Sequence, residues 1–260
     1  MTNKNISIGE AYKAGWTSFK SNIGLLISVL AVIIGANILL GIAIGVSGGD
    51  KNAIVSLLLN LINFIFGIVI SIGLIKIYIT LTRGEKAQFS DLFSDYNLFF
   101  KFLLSNILNG LIVAGGLMLF IVPGVFWALK FSQYQFLVVD KKKGPIEALK
   151  ESSKLTAGVK WELLGFIIIS ILVNMLGMAF FVVGVFLTSI VTKLAFAHVY
   201  QQLLDQENSG ISEASVAVAP SAPTPVASIS NPGPVSAVTP ELDIKSEQDS
   251  DLDTETKPAN

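Results

Sequence analysis

The segment Ile23–Val46 reads IGLLISVLAVIIGANILLGIAIGV and contains no Asp, Glu, Lys or Arg over its 24 residues. A segment this long and this apolar is typical of a helix that crosses a lipid bilayer, because about 20 helical residues span the ~30 Å hydrocarbon core. The bilayer interior offers the backbone no water, so a crossing segment must satisfy its own hydrogen bonds, as an α-helix does. Hydropathy therefore decides the fold class.

Five further apolar segments follow, and together the six predict an all-α membrane protein. They cover residues 54–81, 99–122, 124–139, 163–183 and 185–204. We expect six transmembrane helices as three hairpins, each preceded by an amphipathic interfacial helix, plus a disordered tail. One hairpin turn is expected at residues 122–124, where Pro and Gly interrupt the apolar run. Another is expected near Gly184, since a single helix over residues 163–199 would be about 55 Å long.

The basic residues predict the orientation of the chain. If six helices cross the membrane, the N-terminal segment, the second and fourth loops and the tail share one side. Nearly all Lys and Arg outside the apolar segments fall on that side, and Lys51 is the exception. Because cytoplasmic loops are enriched in Lys and Arg, we expect a multi-pass protein of the cell membrane with both termini in the cytoplasm.

Three amphipathic stretches lie before the predicted hairpins and look like copies of one unit. The first opens with SIGE at residues 7–10, a Ser-x-x-Glu capping box. The second covers residues 89–101, and the third begins with Pro145 at the first helical position. We expect all three at the cytoplasmic interface, with Trp16 and Trp161 as aromatic anchors. Short amphipathic linkers of membrane proteins share these features, so a true repeat stays one of two interpretations.

The composition of the chain changes at Gln206. Residues 206–260 contain no Phe, Trp or Tyr, seven of the nine prolines, and two Lys or Arg against nine Asp or Glu. Such a segment buries too little apolar surface to offset the entropy of ordering it, so we predict a disordered acidic cytoplasmic tail rich in Pro, Ser and Ala. Residues 1–205 contain sixteen Lys or Arg against ten Asp or Glu and form the predicted polytopic membrane domain.

The residue types exclude several kinds of chemistry. The chain has no Cys and a single His, His198, so it cannot form a disulfide, a thiolate metal site or a cluster of histidine ligands. An intramembrane hydrolase needs a nucleophile with a base, or a metal site, and the sequence contains no such constellation. We therefore expect no enzyme activity, no metal and no cofactor, and we interpret His198 as a packed or interfacial residue.

Three lysines interrupt the apolar segments, each in the second helix of a predicted hairpin: Lys76, Lys130 and Lys193. An ammonium group in lipid costs about 3 kcal/mol unless it finds a polar neighbour or reaches the interface. Lys76 is near enough to Arg83 to reach the cytoplasmic surface. Lys130 and Lys193 lie deeper, roughly 15 and 18 Å from the ends of their segments, and form the candidate intramembrane polar site for an anionic lipid head group or solute. The alternative is that both pair with neighbouring amides and carbonyls.

Polar and small residues within the apolar segments predict helix contacts. Asparagines in such surroundings usually hydrogen-bond between helices, for about 1 kcal/mol or less each. The asparagines concerned are Asn37, Asn60, Asn63, Asn106, Asn109 and Asn174. Gly41 and Gly45 form a small-xxx-small pattern that permits close helix approach. The expected partner is the lipid bilayer, with anionic lipids at the Lys-rich cytoplasmic face. A second copy or another membrane protein stays open as a further partner, and no nucleic acid is expected.

The stretch from Pro123 to Trp161 contains a recognisable order of features. A Pro-Gly pair is followed by YQFLVVD at residues 134–140, by GPIEALKES at residues 144–152, and then by Gly158 and Trp161. This order resembles the membrane domain of glycerophosphoryl diester phosphodiesterases and related uncharacterised multi-span bacterial membrane proteins. The resemblance implies a fold for roughly residues 7–204. It does not imply the phosphodiesterase activity, which in that family belongs to a separate soluble domain with acidic metal ligands and catalytic histidines.

These observations favour a non-enzymatic integral membrane protein that organises the membrane, associates with lipid or binds a partner. The alternative is a transporter or channel-like protein with a polar pathway that includes Lys130 and Lys193. A transporter would contain a continuous polar cavity around both lysines. An organising protein would instead form a closed bundle, with its polar chemistry on the amphipathic helices and the tail.

Overall fold

The computed structural model describes residues 5–46, 53–179 and 181–217, which fall within one compact unit. Side chains are described for these residues except 181–183 and 210–217. The described residues form helices and no strand, so the all-α class is confirmed for them. The helices are α1 (Ile8–Ser21), α2 (Ile23–Val46), α3 (Ala53–Thr82), α4 (Asp91–Ser94), a 3₁₀ helix (Tyr96–Leu98), α5 (Phe99–Leu119), α6 (Ile121–Lys130), α7 (Tyr134–Asp140), α8 (Pro145–Leu155), α9 (Lys160–Ala179) and α10 (Phe181–Ala217).

Four helical segments of the described chain are long and apolar enough to cross a bilayer. They are Ile23–Val46, Ala53–Thr82, Tyr96–Leu119 and Lys160–Ala179. Each has at least 20 residues and so reaches the thickness of the hydrocarbon core. No more than 17% of the residues in their most apolar windows are buried inside the protein. Apolar side chains that face outward at this density fit a protein embedded in a membrane.

The fourth predicted segment, residues 124–139, is two helices rather than one. Helix α6 ends at Lys130 and α7 begins after a three-residue turn, so α6 is only about 15 Å long. Two buried side chains, one in α8 and one directly after it, bond to the backbone at this break. Thr156 Oγ1 donates to the Lys130 carbonyl at 2.9 Å, and the Gln133 N–H donates to Ser152 Oγ at 3.1 Å. Because these bonds replace helix bonds, the break is stable within an apolar stretch.

The residues expected to form the two hairpin turns lie within helices in the structure. Between α5 and α6 the extended residue is Phe120, and Pro123 already lies in the first turn of α6. Gly124 serves close packing, because a Cβ there would lie 2.5 Å from a side chain of α5. Gly184 lies inside α10, where its carbonyl oxygen is 2.9 Å from the position of a Cβ on Gly177. These glycines bring neighbouring helices together instead of reversing the chain.

Helix α1 packs closely on α10. Its buried residues Ala11, Gly15 and Phe19 repeat every four positions and therefore form one face of the helix. A Cβ on Gly15 would lie 2.8 Å from the backbone nitrogen of Ala195, so only glycine permits this approach. The opposite face of α1 is exposed, and it includes Trp16.

Helix α1 also runs beside α9. Near the start of both helices the Ile6 N–H donates to Glu162 Oε2 at 2.9 Å, and further along the hydroxyl groups of Tyr12 and Ser170 lie 2.8 Å apart. Helix α1 therefore lies along α9 rather than across its end, and its position at the membrane interface stays a prediction. Ser7 is the N-cap as expected, but its side chain makes no capping hydrogen bond.

The other two amphipathic stretches differ from each other. Residues 89–101 form α4, the 3₁₀ helix and the beginning of α5 rather than one helix. Helix α8 begins at Pro145 as predicted, with Glu147 Oε2 accepting the N–H of the N-cap residue Gly144 at 3.3 Å. It buries one face, which consists of Ala148, Leu149, Ser152 and Leu155.

Helix α10 continues beyond the predicted start of the disordered tail. The sequence places that boundary at Gln206, whereas α10 extends to Ala217. The Gln206 side chain accepts a hydrogen bond from Asn5 N–H at 3.0 Å and donates one to the Asn5 carbonyl at 2.7 Å. These two bonds give this part of the helix a tertiary contact that its composition does not reveal. The remaining tail, residues 218–260, lies outside the described residues.

Candidate functional site

A groove with a volume of about 740 Å³ is lined by residues of α3, α5, α7 and α10, and it is called the Lys193 groove below. On α3 the lining residues extend from Phe64 to Tyr78, about 21 Å of helix. Most of the wall is aliphatic or aromatic. The polar side chains among the lining residues are Ser71, Tyr78, Asn106, Gln135 and Lys193. Apolar walls with a few placed polar groups are typical of a small-molecule site.

Lys193 is the charged residue among those that line this groove. It is exposed on α10, and none of the ion pairs or side-chain hydrogen bonds found in the described part of the chain includes it. An ammonium group without an ion-pair partner between apolar walls is costly in a membrane. A bound anion would offset that cost.

Lys130, the other lysine of the predicted polar site, lies elsewhere. It is the half-buried last residue of α6, and its Nζ is 5.5 Å from the centre of the Phe131 ring, a cation–π contact. It is not among the residues that line the Lys193 groove. The structure therefore does not bring Lys130 and Lys193 together in one site.

An amide and phenol cluster forms part of the groove wall. Asn106 Oδ1 on α5 accepts hydrogen bonds from Tyr134 OH at 2.6 Å and from Gln135 Nε2 at 3.2 Å, both on α7. The Asn106 amide nitrogen donates to the carbonyl of Phe102 at 2.8 Å. Asn106 and Gln135 both line the groove, so the cluster holds two amides in place beside the apolar walls.

Three other asparagines of the apolar segments differ in whether they bond to a second helix. Asn174 joins α9 to α10 as the sequence predicts, since its Oδ1 accepts from Thr188 Oγ1 at 3.2 Å. Asn37 and Asn60 instead donate to carbonyls four residues earlier in their own helices, at 2.8 and 2.7 Å. Hydropathy does not distinguish these cases, because the choice depends on which way each side chain faces.

The carboxylate of Asp95 forms ion pairs with two lysines beside α3. Its oxygens lie 2.8 Å from Lys76 Nζ and 3.5 Å from Lys142 Nζ. Burial raises the pKa of Asp95, but hydrogen bonds and charge from the two lysines lower it more, so the pKa lies below its usual value. Lys76, which the sequence analysis assigns to the cytoplasmic surface, also donates to Ser94 Oγ at 2.7 Å. It is paired with protein groups rather than with water alone.

A second carboxylate, that of Asp140, joins three of the helices around the groove. Arg83, directly after α3, lies 2.8 Å from it, and Tyr200 of α10 donates its hydroxyl at 3.0 Å. Asp140 itself is the last residue of α7. The sequence analysis missed this contact because Arg83 and Asp140 are 57 positions apart. The one available signal was a lone acidic residue at the end of an apolar segment.

No protein-family model, curated protein or solved structure matches this chain. The resemblance to the phosphodiesterase membrane domain therefore stays a prediction. The Lys193 groove combines one positive charge and two amides with apolar walls. This combination can hold an anionic group that is attached to an apolar body.

Proposed function

We propose that this chain is a non-enzymatic, lipid-associated integral membrane protein that binds an anionic amphiphile of the bilayer in the Lys193 groove. The observation that carries the proposal is the ammonium of Lys193, which has no ion-pair partner among the described residues and lines an apolar groove of about 740 Å³. The wall of about 21 Å along α3 suits an acyl chain, and the ammonium suits a phosphate or carboxylate.

The proposed protein crosses the cell membrane six times as three hairpins, with both termini in the cytoplasm. Helices α2 and α3 form the first hairpin, α5 with α6 and α7 the second, and α9 with α10 the third. The distribution of Lys and Arg supports this orientation. Helices α6 and α7 together cover residues 121–140, so two short helices share one crossing. Helix α1 lies beside α9 and α10 in this arrangement, with its opposite face exposed.

A transporter with a polar pathway through Lys130 and Lys193 has less support. Lys130 contacts the Phe131 ring and does not line the Lys193 groove. A pathway that contains both lysines would require a rearrangement of α6, which ends at Lys130. Binding of a lipid at Lys193 requires no such change.

Native mass spectrometry of the full chain, purified together with its lipids, tests the proposed function. The test variant is Lys193→Met, and the matched control is Lys130→Met. Each substitution removes an ammonium group from an apolar segment, but of the two lysines Lys193 alone lines the groove. We expect the wild type and Lys130→Met to retain one more anionic lipid than Lys193→Met. Equal lipid on all three proteins, or none on the wild type, would contradict the proposal.

A further inference from the structure

A second groove, with a volume of about 500 Å³, lies between α6 and the beginning of α9 and is called the α6–α9 groove below. Its wall is formed by six apolar side chains, those of Ile121, Val122, Val125, Phe126, Leu129 and Leu164. Gly158, Lys160 and Trp161 complete the lining. None of these residues lines the Lys193 groove, so the two grooves are separate sites.

Lys160 supplies the positive charge of this groove. Its Nζ lies 4.0 Å from the centre of the Phe126 ring, a close cation–π contact. The lysines of the fourth loop differ, because Lys143 Nζ lies 2.9 Å from Glu151 and Lys142 Nζ lies 3.5 Å from Asp95. Lys160 has no such carboxylate partner in the described part of the chain. Its ammonium is therefore free to bind an anion beside an apolar wall.

Trp161 lies next to this charge and faces outward. It is 84% exposed, which is unusual for the largest apolar side chain unless lipid or a partner covers it. Tryptophan and lysine are the residues enriched where apolar helices meet the head groups of a bilayer, and the indole N–H can donate to a phosphate. Lys160 and Trp161 are the first two residues of the candidate span Lys160–Ala179, where a head group is expected.

The apolar wall of the groove extends along α6 on both sides of Phe126, the residue whose ring Lys160 contacts. On α6 it extends from Leu129 to Ile121, about 12 Å of helix. A cation and an indole donor beside an apolar wall match the two parts of a phospholipid, an anionic head and an acyl chain. One phospholipid can thus contact both the polar and the apolar parts of the site.

We propose that the α6–α9 groove binds an anionic phospholipid, with its phosphate on Lys160 and the Trp161 indole and one acyl chain against α6. Because Lys160 adds a net positive charge, the site prefers phosphatidylglycerol to phosphatidylcholine, whose choline group offsets the phosphate charge. This proposal rests on the membrane location given under the proposed function. It does not depend on a ligand in the Lys193 groove.

Native mass spectrometry of the full chain, titrated with phosphatidylglycerol or phosphatidylcholine of identical acyl chains, tests this second site. The variant Lys160→Gln removes the charge. The matched control Lys154→Gln removes an exposed charge from α8 that does not line the groove. We expect Lys160→Gln to weaken phosphatidylglycerol binding about fivefold, as one basic residue at a membrane surface does, and to leave phosphatidylcholine binding unchanged. Lys154→Gln should bind both lipids like the wild type.

A second variant, Val125→Trp, fills the groove and keeps the charge of Lys160. Val125 is 39% exposed, so the larger side chain does not enter the buried core. We expect Val125→Trp to weaken the binding of both lipids, because the indole ring occupies the space of the acyl chain. Equal effects of Lys160→Gln and Lys154→Gln would overturn the proposal, and so would a dimer that Val125→Trp dissociates, since the groove would then be covered by a second copy.

The Lys193→Met variant separates this inference from the proposed function. If Lys193→Met loses its lipid while Lys160→Gln binds phosphatidylglycerol like the wild type, the α6–α9 site is refuted and the Lys193 site stands. If Lys160→Gln loses its preference while Lys193→Met matches the wild type, the α6–α9 site stands and the Lys193 site is refuted.

Discussion

Arg83 donates a hydrogen bond of 2.8 Å to the carboxylate of Asp140, across 57 positions of sequence. The Asp140 side chain is 10% exposed, so its charge is stabilised by protein groups more than by water. Tyr200 adds a third helix to this contact through its hydroxyl group. The ends of α3 and α7 are thereby held to the middle of α10, and all three helices line the Lys193 groove.

Replacing Asp140 by Asn should destabilise the protein. The substitution removes the charge that both Arg83 and Tyr200 contact, and hydrogen bonds to charged groups contribute about 2 kcal/mol to the free energy of unfolding. We expect a lower Tm for the purified protein in detergent, measured by thermal unfolding. Glu85→Gln, which neutralises an exposed carboxylate close to Arg83, is the control and should leave the Tm unchanged. A Tm of Asp140→Asn equal to that of the wild type would contradict the role of this contact.

Because of Asp95, the protein should become less stable as the solution becomes acidic. Burial raises its pKa, but Lys76 and Lys142 lower it more, so the folded-state pKa lies below the unfolded value of about 3.9. A carboxyl with a lowered pKa stabilises the fold above the unfolded pKa, and that stabilisation is lost as the pH falls through the folded pKa. We expect a Tm that is constant near neutral pH and decreases below about pH 4.

The variant Asp95→Asn tests this origin of the acid sensitivity. It should have a lower Tm than the wild type near neutral pH and a smaller decrease in acid, because the titrating group is gone. Thermal unfolding over a pH series gives both values. The same acid dependence in both proteins would assign the effect to other carboxyl groups.

The packing of α1 on α10 predicts that replacement by Ala has different effects at two glycines of α1. A methyl group at Gly15 would lie 2.8 Å from Ala195 N and 3.0 Å from Val191 O, and backbone atoms cannot move aside easily. We expect Gly15→Ala to lower the free energy of unfolding by about 1–3 kcal/mol, measured by thermal unfolding. Gly9 has no atom within 4 Å of its Cβ position, so Gly9→Ala should be neutral or slightly stabilising. Equal Tm values for the two variants would contradict the docked position of α1.

Hydropathy predicted the helical class and most of the long helices. The predicted segments 23–46, 54–81, 99–122 and 163–183 correspond to α2, α3, α5 and α9, with ends that differ by a few residues. These features depend on the local run of apolar residues, which is visible along the sequence. Hydropathy does not show where a helix breaks, because the groups that replace its hydrogen bonds are distant in the sequence.

The features that sequence analysis missed depend on tertiary partners. The break after Lys130 requires Ser152 of α8 and Thr156 directly after it. The position of α1 requires Glu162 and Ser170 of α9. The positions of the two lysines of the predicted polar site depend on tertiary structure as well. Lys193 lies in a groove and Lys130 does not, because the direction of each side chain depends on how its helix is rotated in the bundle.

The proposed orientation can be tested directly because the chain contains no cysteine. Single cysteines are introduced in place of Lys51, Glu85 and Ala157, and intact cells are treated with a membrane-impermeant thiol reagent. We expect labelling at position 51 alone, since the positive-inside distribution assigns the other two positions to the cytoplasm. Labelling of all three after permeabilisation is the control. Protection of position 51, or labelling of position 85 or 157 in intact cells, would contradict the six-helix arrangement.

The distance between Lys193 and a lipid phosphate tests the proposed function most directly. Solid-state NMR of the protein in anionic-lipid membranes, with isotope-labelled lysine side chains, measures the coupling between Nζ and phosphorus. Lys193→Met assigns the signal, and Lys130→Met is the matched control. We expect a strong coupling, because a charge-assisted hydrogen bond joins nitrogen and oxygen at about 2.8 Å, and this coupling should disappear only in Lys193→Met. A wild-type spectrum without a coupling that depends on Lys193 would contradict lipid binding in the groove.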